Sequence, residues 1–308
     1  MSVQLEGIVV PLLSPFTRGT DELDVPALRR LVDRVIDAGA HAIIANAGTS
    51  EYYHLDEDER RTEAEVVVEQ AAGRLPVLVG AGSQSTRGSV RWAKHAESIG
   101  AQGLLMTPPT YGPVPVSAIL RHFVTVSDAV SIPIMLYNNP FVCGTLLGPD
   151  DLVDFVTKAN VPWIKLTTQH PEHVPAILDR VGDRAVCFEG VDNLAFASMA
   201  MGSVGWVAGP ANAITELAVE LWRLVRVEQD LPAAQVIHRR IAPLLNFLWD
   251  EAVYCSALKE ICGLRGYPLG AVRSPFDELN EAKRARVHQF ARDLDLVAQK
   301  DRTPAAAG

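Results

Sequence analysis

Residues 162–167 read Pro162-Trp163-Ile164-Lys165-Leu166-Thr167. A short apolar run bounded by proline has the signature of a strand buried on both faces. Similar runs recur at Gly7–Leu12, Ala42–Ala45, Val77–Gly80, Gly103–Met106, Ile134–Tyr137, Val186–Glu189 and Gly205–Ala208. Between them lie amphipathic stretches that predict helices: Pro26–Ala38, Asp56–Ala72, Thr86–Ile99, Pro115–Val130, Pro149–Ala159, Glu172–Val181, Asn193–Met201 and Ala213–Arg226. Several carry start signals, such as Asp24 before Val25-Pro26 and Asp56 before Glu57-Asp58-Glu59. Strands too apolar to face water, each followed by a helix, predict a parallel sheet covered by helices, and eight such units close a (β/α)8 TIM barrel. A doubly wound sheet would need a Gly-x-Gly-x-x-Gly turn after an early strand, and Gly80-Ala81-Gly82-Ser83-Gln84-Ser85 does not supply it. Ala233–Phe247, Glu251–Ile261 and Asp277–Val297 continue as helices without strands. Residues 1–228 are therefore expected to form the barrel, and residues 229–308 a C-terminal helical appendage.

The 308 residues, 48% apolar and 21% charged, suffice for one large core, and a barrel of ~250 residues with an appendage fits. A net charge of −9 argues against a nucleic-acid partner, whose phosphates need a basic face. The start, Met1-Ser2-Val3-Gln4-Leu5-Glu6, lacks the basic-then-apolar pattern of a secretory signal. No apolar stretch reaches the ~20 residues that span a bilayer, so no membrane association is expected. Cys143, Cys187, Cys255 and Cys262 include no Cys-x-x-Cys pair, which suggests neither a disulfide framework nor a zinc site. The cytoplasm is the expected location. The tail Thr303–Gly308 is expected to fray.

Lys165 stands out because it sits inside a strand, whereas Lys94, Lys158, Lys259, Lys283 and Lys300 have polar neighbours and are expected to be solvated. Burial disfavours the charged form of an amine. A neutral amine near pH 7 is a nucleophile suited to forming an imine with a ketone or aldehyde. The alternative is a lysine whose stem packs in the strand while its head escapes to a loop. In barrels of this kind the active site gathers at the carboxyl ends of the strands. Tyr137 ends the fifth strand candidate and Lys165 lies near the end of the sixth. Adjacent strands run ~4.8 Å apart, so the two can meet over one pocket, the tyrosine acting as proton shuttle or as a rim aromatic. The small residues of Asn46-Ala47-Gly48-Thr49-Ser50-Glu51 could turn backbone N–H groups toward a carboxylate, or simply make a turn.

Taken in order and spacing, several segments resemble the dihydrodipicolinate synthase / N-acetylneuraminate lyase family of imine-forming aldolases and lyases. They are Val10-Pro11-Leu12-Leu13-Ser14-Pro15-Phe16, Gly48-Thr49-Ser50-Glu51, Tyr137-Asn138-Asn139-Pro140, Ile164-Lys165, Gly190-Val191-Asp192, and Gly202-Ser203-Val204-Gly205 leading to Asn212. The resemblance implies that Lys165 forms the Schiff base with pyruvate or another 2-oxo acid, and that Tyr137 is the general acid/base. It implies that Gly48, Thr49 and Ser50 seat the carboxylate, Thr49 and Ser50 offering N–H and hydroxyl donors. Gly190 belongs to the same substrate-facing set, and Val207 falls where the family lines the substrate tail pocket, or is plain core. Tyr111 matches a tyrosine lent across a dimer interface, which implies a homotetramer built as a dimer of dimers. No cofactor or metal is needed, since the lysine supplies the electron sink.

Two departures narrow the substrate. True dihydrodipicolinate synthases carry an arginine two residues after the Tyr-Asn-x-Pro motif, and here that position is Val142, with neither charge nor bidentate fork. That disfavours the lysine-pathway reaction and resembles the sialic acid lyases and 2-keto-3-deoxy sugar acid aldolases. The family loop also usually bears a hydroxyl where this chain has Gly48, so the proton relay is in doubt unless Thr49, Ser50 or a water substitutes. Gly48-Thr49-Ser50-Glu51-Tyr52-Tyr53 looks more like the loop of 5-dehydro-4-deoxyglucarate dehydratases, which expel water and carbon dioxide.

The expectation is therefore a lyase acting on a 4-hydroxy-2-oxo acid, sugar-derived, with pyruvate as one partner. A keto-deoxy acid dehydratase is the alternative, and a non-catalytic sugar-acid-binding regulator is the rival of a different kind. His170-x-x-His173 lacks an obvious third ligand and is set aside as a metal site.

Overall fold

The computed structural model describes residues 4–251 and 253–298; Lys300 and the tail expected to fray lie outside them. Eight strands are β1 (Gly7–Pro11), β2 (Ala42–Ala45), β3 (Val77–Gly80), β4 (Gly103–Met106), β5 (Ile134–Asn138), β6 (Trp163–Leu166), β7 (Val186–Glu189) and β8 (Gly205–Val207). All pair in parallel in chain order, and β1 pairs with β8 to close the barrel. The helices between them are α1 (Val25–Asp37), α2 (Glu57–Ala71), α3 (Thr86–Ser98), α4 (Val116–Ser127), a short α5 (Pro140–Cys143), α6 (Pro149–Lys158), α7 (His173–Val181) and α8 (Ala195–Ala200). After β8 come α9 (Ala211–Trp222), α10 (Leu231–Asp250), α11 (Tyr254–Leu264) and α12 (Glu281–Asp293).

Alternation along each strand sorts the core into two clusters, as a period of two requires. Val9, Ala42, Ile44, Leu78, Leu105, Met135, Trp163, Phe188 and Val207 fill the barrel interior. Their neighbours Ile8, Ile43, Val77, Leu104, Leu136, Ile164, Cys187 and Trp206 face the helices. Lys165 follows Trp163 by two residues, so the same alternation turns it inward. This places one amine at the top of a packed apolar interior.

Helix starts follow local capping chemistry. Asp24 accepts from the Ala27 N–H at 2.9 Å, with Pro26 in the first turn. Asp56 and Glu59 cap each other's backbone reciprocally. The predicted helix Asn193–Met201 is broken: residues 192–194 form a tight 3-10 turn before α8, with the Asp192 side chain drawn inward. Helix α12 starts only at Glu281 because Asn280 caps it, accepting from the Lys283 N–H at 2.9 Å. Helix α5, absent from the sequence expectation, is opened by Asn139 and closed by Gly144 in the left-handed region at φ 64°.

Candidate active site

Tyr137 and Lys165 are direct register partners on β5 and β6. Lys165 is 6% exposed, and its Nζ lies 3.8 Å from the centroid of the Tyr137 ring, over the aromatic face. Among the described residues it forms no ion pair. The Tyr137 hydroxyl oxygen accepts from Asn139 Nδ2 at 2.9 Å, which orients the phenol and leaves its proton free to donate. Sequence reading did not single out Asn139; its place two residues after Tyr137 was the available signal. Gly190 fits closely against this lysine. A Cβ there would stand 2.8 Å from Lys165 Cε and 2.1 Å from Thr167 Oγ1, so only glycine leaves the amine where it is.

The loop after β2 brings Gly48 and Thr49 to the same cavity. Nothing lies within 4 Å of a Cβ built on Gly48, so the hydroxyl missing from the sequence is also an open space. Ser50 corrects the expectation that it offers a donor to substrate or to the relay. Its Oγ donates to the Leu12 carbonyl at 2.7 Å and accepts from the Ala47 N–H at 3.1 Å, and it does not line the cavity. Below it Glu63 is fully buried, accepting from Ser14 Oγ and the Asn46 N–H; burial pushes its carboxyl up.

A second correction concerns Lys259, expected to be solvated. It is 4% exposed on α11, and its Nζ binds Glu51 Oε1 and the Ala271 carbonyl, each at 2.7 Å. Glu51 sits in the left-handed region at φ 54° and also accepts from the Arg273 N–H at 3.0 Å. A helix from the end of the chain thus anchors the loop that carries Gly48 and Thr49.

The ends of β7 and β8 complete the floor. Glu189 is buried and accepts from the N–H groups of Gly190 and Val191; burial pushes its carboxyl up to about 7. Asp192 accepts from Trp206 Nε1 at 3.0 Å and from the Tyr254 hydroxyl at 2.6 Å. Val207 belongs to the barrel interior and also lines the cavity. The cavity, about 1390 Å³, is lined from both the barrel and the C-terminal helices, including Leu248, Trp249 and Tyr254. At its mouth Phe141 and Val142 are 59% and 53% exposed, Phe141 packing edge-on to Trp249.

Tyr111 lies elsewhere. It is 91% exposed and outside the cavity lining, on a loop whose backbone is held by the Gln84 side chain, which accepts from the N–H groups of Thr110 and Tyr111. His170 and His173 gain a third neighbour that the sequence reading lacked, since Glu172 brings its carboxylate 2.9 Å from His170 Nδ1. This cluster is outside the cavity lining.

A closed parallel barrel with a buried interior lysine and a tyrosine at the carboxyl ends of neighbouring strands is the frame of a (β/α)8 lyase. Residues 4–294 match the Dihydrodipicolinate synthetase family, and the chain belongs to it. It is 32% identical over 301 residues to a 4-hydroxy-tetrahydrodipicolinate synthase of Acidobacterium capsulatum, covering 96% of this chain and 98% of that protein. A crystal structure of a putative dihydrodipicolinate synthetase from Pseudomonas aeruginosa superposes with TM-score 0.91 at 28% identity, over 94% of this chain and 100% of that one. The YagE prophage protein of E. coli, solved in complex with pyruvate, gives TM-score 0.89 at 26% identity, over 94% and 99%. The protein is an aldolase-type lyase of this Schiff-base family.

Proposed function

We propose that the protein cleaves or forms a 4-hydroxy-2-oxo acid, sugar-derived, with pyruvate as one partner. The observation that carries this is the Lys165 amine, buried, unpaired among the described residues and facing the cavity beside Tyr137. The amine adds to the C2 ketone and, after loss of water, leaves a protonated imine. Tyr137 gives its phenol proton to the hydroxyl that departs as water and then, as phenolate, takes the proton from the C4 hydroxyl; the C3–C4 bond breaks and its electron pair passes into the imine to give an enamine. The aldehyde leaves. The enamine is then protonated at C3 and hydrolysed, returning the amine and releasing pyruvate. Backbone N–H groups around Gly48 and Thr49 seat the carboxylate.

A hydroxylated tail is favoured by the polar side chains of the lining, Thr107, Asn139 and Ser256 among them. The resemblance to true dihydrodipicolinate synthases would imply a substrate aldehyde that carries a carboxylate. Val142 offers it no charge, and among the described residues the one cation of the lining besides Lys165, Lys283, is committed to Glu251. The open space at Gly48 favours a second reading, a dehydratase acting on a keto-deoxy acid. Under either reading we propose that the enzyme acts in the cytoplasm. The exposed ring of Tyr111, on a loop that is itself well anchored, supports a homotetramer in which this tyrosine completes a neighbour's site.

Borohydride with pyruvate should label the protein at Lys165 and leave Lys165→Ala unlabelled. Incubation with 2-keto-3-deoxy acids followed by mass analysis then separates the readings. An aldehyde plus pyruvate supports cleavage, loss of water supports the dehydratase, and binding without turnover or label would leave a regulator.

A further inference from the structure

Two side chains not used in the chemistry above line the same cavity as Lys165. Asp192 opens the turn after β7 and is 5% exposed, with both carboxylate oxygens engaged: Trp206 Nε1 donates to Oδ1, and the Tyr254 hydroxyl donates to Oδ2. Tyr254 reaches in from the first residue of α11, into space left by Gly209. A Cβ on Gly209 would lie 2.1 Å from the Tyr254 hydroxyl. Asp192, Tyr254, Tyr137 and Lys165 all line the same cavity.

A buried carboxylate is costly unless charge or donors compensate it. Burial pushes the Asp192 carboxyl up to about 6, while Tyr254, Trp206 and the Lys165 charge pull the other way. Both hydrogen-bond donors are neutral, and Lys165 is the cation of the same cavity whose charge opposes the effect of burial on Asp192. Resting on the imine reading above, we propose that Asp192 is the counter-ion of the protonated imine on Lys165, with Tyr254 as the positioning residue that holds this carboxylate ionised. The protonated imine is cationic, and that charge draws the C3–C4 or C3–H electron pair into the enamine. Once the pair arrives the nitrogen is neutral. The carboxylate neither gains nor loses a proton in the step; it stabilises the charge that makes the step possible.

The titratable groups facing Asp192 are Lys165 on β6, Glu189 on β7 and Tyr254 on α11. Tyr254 is faced in turn by Tyr137 on β5 and Cys255 on α11. Burial, with the Asp192 charge behind it, pushes the Tyr254 phenol well up, so it stays a donor at neutral pH.

The test follows exchange of the pyruvate C3 protons in deuterated water by proton NMR across pH, alongside borohydride labelling, for the full chain, Asp192→Asn and Tyr254→Phe. These variants nearly preserve shape, and thermal melts report folding. The unmodified protein should exchange and label, with exchange falling as pH drops through about 6. Tyr254→Phe removes a hydrogen bond to the charged form of Asp192, so this acid limb should move up by about one pH unit. Asp192→Asn should lose the acid limb and exchange ~10-fold or more slowly, with less label at a given dose. Label and exchange in the unmodified protein with an unchanged pH profile in both variants would overturn the counter-ion role and leave the imine reading standing. A rate that fell evenly at every pH would mean a structural role only and overturn it equally. Absence of label from the unmodified protein would sink both.

Discussion

Lys165 and Lys259 are both buried, 6% and 4% exposed, yet their surroundings make them opposites. Lys259 sits against Glu51 at 2.7 Å, bonds a carbonyl besides, and has its nitrogen 4.4 Å from the Phe16 ring centroid. Burial pushes its ammonium down, and the Glu51 carboxylate opposes that. Lys165 faces a cavity, rests on the Tyr137 ring and has no ion pair among the described residues. One amine is locked into holding the β2 loop; the other is left free to react. Burial alone therefore does not identify a reactive lysine, and the presence or absence of a committed carboxylate does.

The largest expected effect is on Lys165. Lys165→Ala should abolish turnover and borohydride labelling, a loss of about 10⁴-fold or more by steady-state assay, while the melting temperature stays near that of the parent. Equal turnover in this variant would end the distinction between the two lysines. Tyr137→Phe removes the proton carrier but keeps the ring under the amine, and kcat should fall ~10²–10⁴-fold. Labelling should persist, which separates imine formation from the later proton steps.

Lys259→Met should show the reverse profile. It leaves Glu51 buried with one partner removed, so denaturant unfolding should register a loss of about 3–5 kcal/mol. The double variant Lys259→Met with Glu51→Gln should recover part of it, since the stranded charge is gone. A single variant as stable as the parent would show that the pair anchors nothing.

The smallest effect tests a paired group near the surface. Burial pushes the Glu216 carboxyl up, but hydrogen bonds and charge from Arg265 and Arg34 outweigh it and hold it at about 2. A carboxyl held down in the folded state stabilises fully above its unfolded value and loses that contribution as pH falls through about 2. With the Glu216 side chain 47% exposed, solvent screening leaves roughly 1 kcal/mol at pH 7. Glu216→Gln should therefore destabilise slightly at pH 7, and the difference should vanish as pH falls below about 2.

The barrel was legible because its strands are apolar runs of four or five residues, and Lys165 was legible because a lysine in such a run is out of place. Tyr137 followed from strand adjacency. Less visible were features that depend on residues distant in sequence. Glu51 and Lys259 are 208 residues apart, and Asp192 and Tyr254 are 62 apart. Neither partner breaks a local pattern, so nothing marks the pair before the chain folds. Ser50 was misread for a related reason: Gly-Thr-Ser advertises donors but not their direction, and the Leu12 carbonyl that takes its hydroxyl lies on the segment after β1.

The most direct measurement is peptide mass mapping after borohydride treatment with pyruvate. We expect one reduced adduct, on the peptide that holds Lys165, and none on the peptide that holds Lys259. An adduct on Lys259 or on surface amines, with Lys165 unmodified, would contradict the division between the two lysines.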